Sequence, residues 1–283
     1  MNIRIIPRLD IKGPNLVKGV HLEGLRVLGK PEYFAHYYYE QGADELVYMD
    51  AVASLYGRNS LLEIIQRTAR EIFIPLCVGG GIRNVDDIRA VLRAGADKVS
   101  VNTAAIRRPE FVLEAARAFG SSTIVVSIEA IKNRDNFYEA LVNYGRDRTG
   151  VNAIEWAIRA VELGAGELQV TSVDMEGTGK GFDLELIRQI ADVVPVPVIA
   201  HGGAGNMRDV FDAVSLGHAD AVSVASILHY QCIEQIQIDE KEFNNEGNTE
   251  FLRKKRTGFS KIQPTSLVAI KEYLTDQGIA CRH

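Results

Sequence analysis

Short apolar, β-branched runs alternate along the chain with longer segments whose apolar residues recur at helical spacing. The runs are Arg4–Leu9, Glu45–Asp50, Ile74–Val78, Lys98–Val101, Thr123–Glu129, Glu167–Ser172, Pro197–Ala200 and Ala221–Val224. Between them, stretches such as Val85–Ala94 and Ile154–Leu163 place apolar residues on one helix face. Eight strands separated by helices predict a parallel α/β sheet, either closed into a barrel or open and doubly wound.

An internal repeat chooses between the two. Gly80-Gly81 with Asn84, Asp87 and Gly95-Ala96-Asp97 returns as Gly202-Gly203 with Asn206, Asp209, Gly217 and Ala219-Asp220. Val99-Ser100-Val101 returns as Val222-Ser223-Val224, Gly42-Ala43-Asp44-Glu45-Leu46 as Gly164-Ala165-Gly166-Glu167-Leu168, and Leu9-Asp10 as Ile128-Glu129. Each half supplies four strand–helix units, and an open sheet gives no reason for such a period. The expectation is a single (β/α)8 TIM barrel over residues 1–283, built from two similar half-barrels. A polar stretch at about 235–263 interrupts the rhythm after the eighth strand, on the catalytic side. It is expected to be a solvated insertion, a lid or a docking arm.

Composition narrows the function. With 46% hydrophobic and 24% charged residues and a net charge of −5, the 283-residue chain has no overall basic field to make nucleic acid its main partner. No signal-peptide layout opens it and no apolar run approaches the roughly 20 residues of a membrane span, so a cytoplasmic protein off the membrane is expected. Cys77, Cys232 and Cys281 lack metal-ligand or disulfide spacing and read as idle thiols in a reducing compartment. Neither a metal nor a cofactor is expected.

Side chains at the C-terminal ends of barrel strands line the site in this fold. Asp10 ends the first strand and Glu129 the fifth, so the two carboxylates face each other across the mouth and suit acid–base chemistry. Phosphate cradles are expected twice: Gly80 and Gly81 with Asn102 and Thr103, then Gly202 and Gly203 with Ala225 and Ser226. Opposed cradles fit a ligand with an anion at each end. At the other mouth Arg4, Glu45, Lys98 and Glu167 open strands one, two, four and six. Their alternating signs suit a salt-bridged ring, read either as a structural plug or as the rim of a conduit.

Leu9-Asp10-Ile11-Lys12, Val17-Lys18-Gly19, Val78-Gly79-Gly80-Gly81-Ile82, Asn102-Thr103-Ala104-Ala105, Thr171-Ser172, Gly177-Thr178 and Gly202-Gly203-Ala204-Gly205 together resemble the cyclase subunit of imidazole glycerol phosphate synthase. The resemblance covers nearly all of the chain outside the late insertion. It implies a glutaminase partner at the barrel bottom and ammonia passing the ring to the top. There a phosphoribulosyl aminoimidazole carboxamide derivative is cleaved and cyclised, with Asp10 as base and Glu129 as acid. It also implies that Lys18, Thr171, Glu176 and Gly177 contact substrate or its phosphates.

Several residues depart from the family pattern. Glu129 and Glu176 stand where the family carries aspartate, and His201 and Tyr144 where it carries serine. The segment His21–Lys30 also differs from the usual first loop. These departures, with the segment Asp50–Ser60, resemble paralogues found with surface-polysaccharide genes. Those are implicated in converting a sugar acetamido group to acetamidino, beside a glutaminase and a third, amidotransferase-like protein. The sequence therefore leans to an activated-sugar substrate. A histidine-pathway cyclase is the alternative, and a phosphosugar isomerase of the same lineage, which needs no charged ring, is the third.

Overall fold

The computed structural model describes residues 2–52, 61–135, 137–235 and 261–282. Among the described residues twelve strands are formed: β1 (Arg4–Lys12), β2 (Asn15–Val20), β3 (Glu23–Gly29), β4 (Leu46–Asp50), β5 (Leu76–Gly79) and β6 (Lys98–Val101), then β7 (Ile124–Lys132), β8 (Tyr138–Val142), β9 (Asp147–Asn152), β10 (Glu167–Ser172), β11 (Val198–His201) and β12 (Ala221–Val224). Eight of them, β1, β4, β5, β6, β7, β10, β11 and β12, pair in parallel in that order, and β12 closes on β1. The fold is therefore a closed (β/α)8 barrel, each half beginning with a long strand, β1 or β7. The expected strands are all present, with ends shifted by a few residues.

Two elements were not foreseen. After β1 the chain folds back as the antiparallel hairpin β2–β3, and after β7 as β8–β9. Each half-barrel thus carries a hairpin over the catalytic mouth at its first strand, a further sign of the repeat. The polar stretch at about 235–263 lies almost wholly outside the described residues.

Strand alternation sorts the core into two shells. Outward residues such as Leu9, Tyr48, Val78, Val99, Val126, Val170 and Val222 join the layer between barrel and helices. Inward residues Ile6, Val47, Cys77, Val125, Ile199 and Ala221 pack on one another inside the barrel. The repeated motifs are largely joinery. Oδ2 of Asp44, Asp97 and Asp220 accepts the N–H of Ile5, Leu76 and Val198 at 2.8, 2.9 and 2.9 Å, tying each strand start to its neighbour. Asn84 and Asn206 cap the helices Val85–Arg93 and Met207–Ser215, the second with Asp209 in a capping box.

Candidate active site

The barrel axis carries charge at both ends. At the N-terminal mouth Arg4 binds Glu45 at 2.8 Å and Glu167 at 3.1 Å, and Lys98 binds the same two carboxylates at 2.9 and 3.0 Å. The four residues close a ring of alternating sign, as expected. Burial pushes the Glu45 carboxyl up against the pull of Lys98 and Arg4, and the two glutamates raise Lys98 despite its burial. Above the ring the inward hydroxyls of Ser100, Ser127 and Ser223 and both amide atoms of Gln169 are buried with no hydrogen-bond partner among the described residues. The interior is polar there as well as apolar.

At the C-terminal mouth Asp10 and Glu129 stand on β1 and β7, half a turn of the barrel apart. Asn102 donates to Glu129 Oε2 at 2.9 Å and to the Leu141 carbonyl at 3.1 Å. Burial pushes the Glu129 carboxyl up to about 7, and the guanidinium of Arg8, the Gly145 N–H and the Asn102 amide offset only part of that. A carboxyl at that value holds or gives up a proton readily near neutrality, the requirement for a general acid or base.

Arg8, two residues before Asp10 on the same inward face, is fully buried. Its Nε donates to Asp10 Oδ1 at 2.9 Å and its Nη1 to His201 Nδ1 at 3.3 Å. Burial opposes its charge, but Asp10, Tyr144 and Glu129 together outweigh that and raise it. Burial, then Arg8 and Lys18, hold His201 well below its ordinary value, so its ring is neutral and accepts from Arg8. Thr171 Oγ1 lies 3.2 Å from the same nitrogen. Tyr144, at φ 61°, places beside these groups a buried phenol that has no hydrogen-bond partner among the described residues.

The remaining expected residues fall into two groups. Gly80, Gly81, Asn102 and Thr103 line a cavity of about 310 Å³ that also reaches Glu129 and Tyr144. Gly80 needs its φ of 94°, and a Cβ there would meet the Asp50 carbonyl at 2.5 Å. Thr103 Oγ1 accepts the Asn143 N–H at 2.9 Å, fixing the second hairpin. The residues of the second cradle do not line that cavity. Gly202 and Gly203 pack on Ser172, Glu176 and Gly181, and Ala225 and Ser226 are buried.

Lys18 and Glu176 form a buried ion pair, Leu22 donates its N–H to Glu176 Oε2 at 2.8 Å, and a Cβ on Gly177 would strike the Gly19 carbonyl at 2.7 Å. These three contacts thus clasp the first hairpin onto the loop after β10. Arg8 was missed in the sequence, although its signal is plain. Period-two alternation sets Arg4, Ile6, Arg8 and Asp10 on one face of β1. Among the described residues no group of three or more His, Cys, Asp or Glu is placed to hold a metal, and no helix is long and apolar enough to cross a membrane.

Residues 4–234 match the family described as histidine biosynthesis protein. A curated relative, the imidazole glycerol phosphate synthase subunit HisF of Legionella pneumophila, is 56% identical over 208 residues, 74% of this chain and 98% of that protein. Two half-barrels, a charged ring below and opposed carboxylates above agree with that match, and the chain belongs to the histidine biosynthesis protein family, as a cyclase barrel of the HisF type.

Proposed function

We propose that this cyclase-type lyase is the ammonia-consuming subunit of a glutamine-dependent pair. A glutaminase docks under the ring, and the barrel carries ammonia from Arg4, Glu45, Lys98 and Glu167 to Asp10 and Glu129. The observation that carries this reading is the closed ring directly below two opposed carboxylates on one barrel axis. Ammonia is mostly protonated in neutral water, and ammonium has no lone pair with which to attack. An enclosed path preserves the neutral form. Phe73, 81% exposed just before β5 at the same mouth, offers the partner an apolar contact.

The substrate we favour is an activated sugar of surface-polysaccharide synthesis, whose acetamido group becomes acetamidino, with a third amidotransferase-like protein taking part. What supports it is the crowding of the mouth. Asp10 is ion-paired to Arg8, the buried Tyr144 phenol stands near both carboxylates, and Lys18 and Glu176 bind each other. The histidine-pathway cyclase remains the second reading, favoured by Glu129 poised at about 7 beside the accessible first cradle. Turnover of the histidine-pathway intermediate with saturating ammonium salt separates them. The favoured reading expects turnover no better than trace. Robust turnover, lost on Asp10→Asn and cut by on the order of a hundredfold or more on Glu129→Gln, establishes the cyclase instead.

A further inference from the structure

The two cradles repeat in backbone but not in charge. The cavity of about 310 Å³ over Gly80, Gly81 and Thr103 is walled by Arg83, Arg107 and Arg108. The half-barrel repeat supplies an internal control. Aligning Gly80-Gly81 with Gly202-Gly203 sets Arg83 against Gly205. Aligning Val99-Ser100-Val101 with Val222-Ser223-Val224 sets Arg107 and Arg108 against Tyr230 and Gln231. All three cations belong to the first cradle alone, in a chain whose net charge is −5.

They are not equivalent. Arg108 is held by Glu114 through Nη1 at 2.6 Å and Nη2 at 3.0 Å, which neutralises it. The side chains of Arg83 and Arg107 have no hydrogen-bond or ion-pair partner among the described residues. The acidic groups on the cavity wall are Asp50, whose Oδ1 accepts the Val52 N–H at 3.0 Å, and Glu129, engaged by Asn102. Two unspent guanidinium groups therefore face a glycine turn that already suits one phosphoryl group.

A turn of backbone N–H groups matches the oxygens of a single phosphate. Guanidinium forks add bidentate donors for further phosphate oxygens and keep their charge at every accessible pH. We propose that the first cradle takes a diphosphate: one phosphoryl group on the Gly80-Gly81 turn and Thr103, the next between Arg83 and Arg107. The ligand is then more anionic at this end than at the other, and its class is a diphosphate ester such as a nucleoside-diphosphate sugar. This inference rests on the reading of the mouth as the substrate site.

Isothermal titration of the full chain with inorganic phosphate and with inorganic pyrophosphate, in chelator and at fixed ionic strength, tests it. Pyrophosphate is expected to bind at least about tenfold more tightly than phosphate. The double variant Arg83→Ala/Arg107→Ala should bring pyrophosphate down to the affinity of phosphate at an unchanged melting temperature. Arg117→Ala, an exposed arginine elsewhere, should keep the preference. Equal affinity for the two anions, an equal loss of both in the double variant, or no pyrophosphate binding overturns the proposal. None of these readings involves ammonia or a glutaminase, so failure of the proposed function shows separately, in the ammonium assay.

Discussion

Replacing Arg8 by methionine keeps most of the side chain's length and removes only the guanidinium. The wild-type pair is almost sealed from water, with Arg8 at 0% and Asp10 at 2% side-chain exposure and 2.9 Å between Nε and Oδ1. Taking away one partner strands a buried carboxylate, for which about 3–5 kcal/mol of destabilisation is expected. At roughly 2–4 °C per kcal/mol for a domain of comparable size, the melting temperature should fall by on the order of 10 °C. Asp10→Asn alone strands the guanidinium and should cost a similar amount. The double variant Arg8→Met/Asp10→Asn buries no charge at this point and should recover most of the loss. Equilibrium urea unfolding of all four proteins gives the coupling energy, expected at about 3 kcal/mol or more. Additive losses in the double variant would show that Arg8 and Asp10 do not act as a pair and would refute the argument.

Three further outcomes follow from the same geometry. Glu129 has its carboxyl raised from 4.5 to about 7, so the folded state binds its proton more tightly than the unfolded chain. That contribution is complete below about pH 4.5 and is lost as the pH rises towards 7. It amounts to roughly 3 kcal/mol. Glu129→Gln should flatten the stability profile across that window, as urea unfolding at several pH values will show. Gly177→Ala drives a Cβ into the Gly19 carbonyl at a φ of 72°, and should loosen the first hairpin and speed limited proteolysis there. Lys98→Ala leaves Glu45 and Glu167 facing each other with Arg4 alone between them. It should uncouple glutamine hydrolysis from product formation, whereas lost stability with coupling intact would make the ring only a plug.

Barrel, repeat and ring were legible because each rests on period. Arg4, Glu45, Lys98 and Glu167 were placed at the N-terminal mouth because each opens a strand, and the glycine motifs marked the half-chain symmetry. Their Asp and Asn members turned out to be strand ties and helix caps, which a sequence shows as spacing and not as purpose. The hairpins β2–β3 and β8–β9 were hidden because Lys18 and Gly19 interrupt the apolar pattern of β2, β9 is almost wholly polar, and the register of β2 and β8 is set by the barrel beneath. Glu176 is expected beside substrate or its phosphates, and its protein partners Lys18 and Leu22, 158 and 154 residues away, are contacts that local sequence does not encode. Arg8 lay in plain view on β1. Its fully buried charge made sense only once Asp10 and His201 stood beside it.

On the proposed function, ammonia reaches the mouth through the barrel and not from solution. The direct measurement is the isotopic origin of the nitrogen in the product of the two-protein complex. Glutamine carrying a labelled amide nitrogen is supplied together with excess unlabelled ammonium, using whichever substrate the ammonium assay identifies. Product that keeps the label of glutamine undiluted is expected, with dilution appearing on Lys98→Ala. Product whose label matches the bulk ammonium pool in the unaltered complex contradicts it.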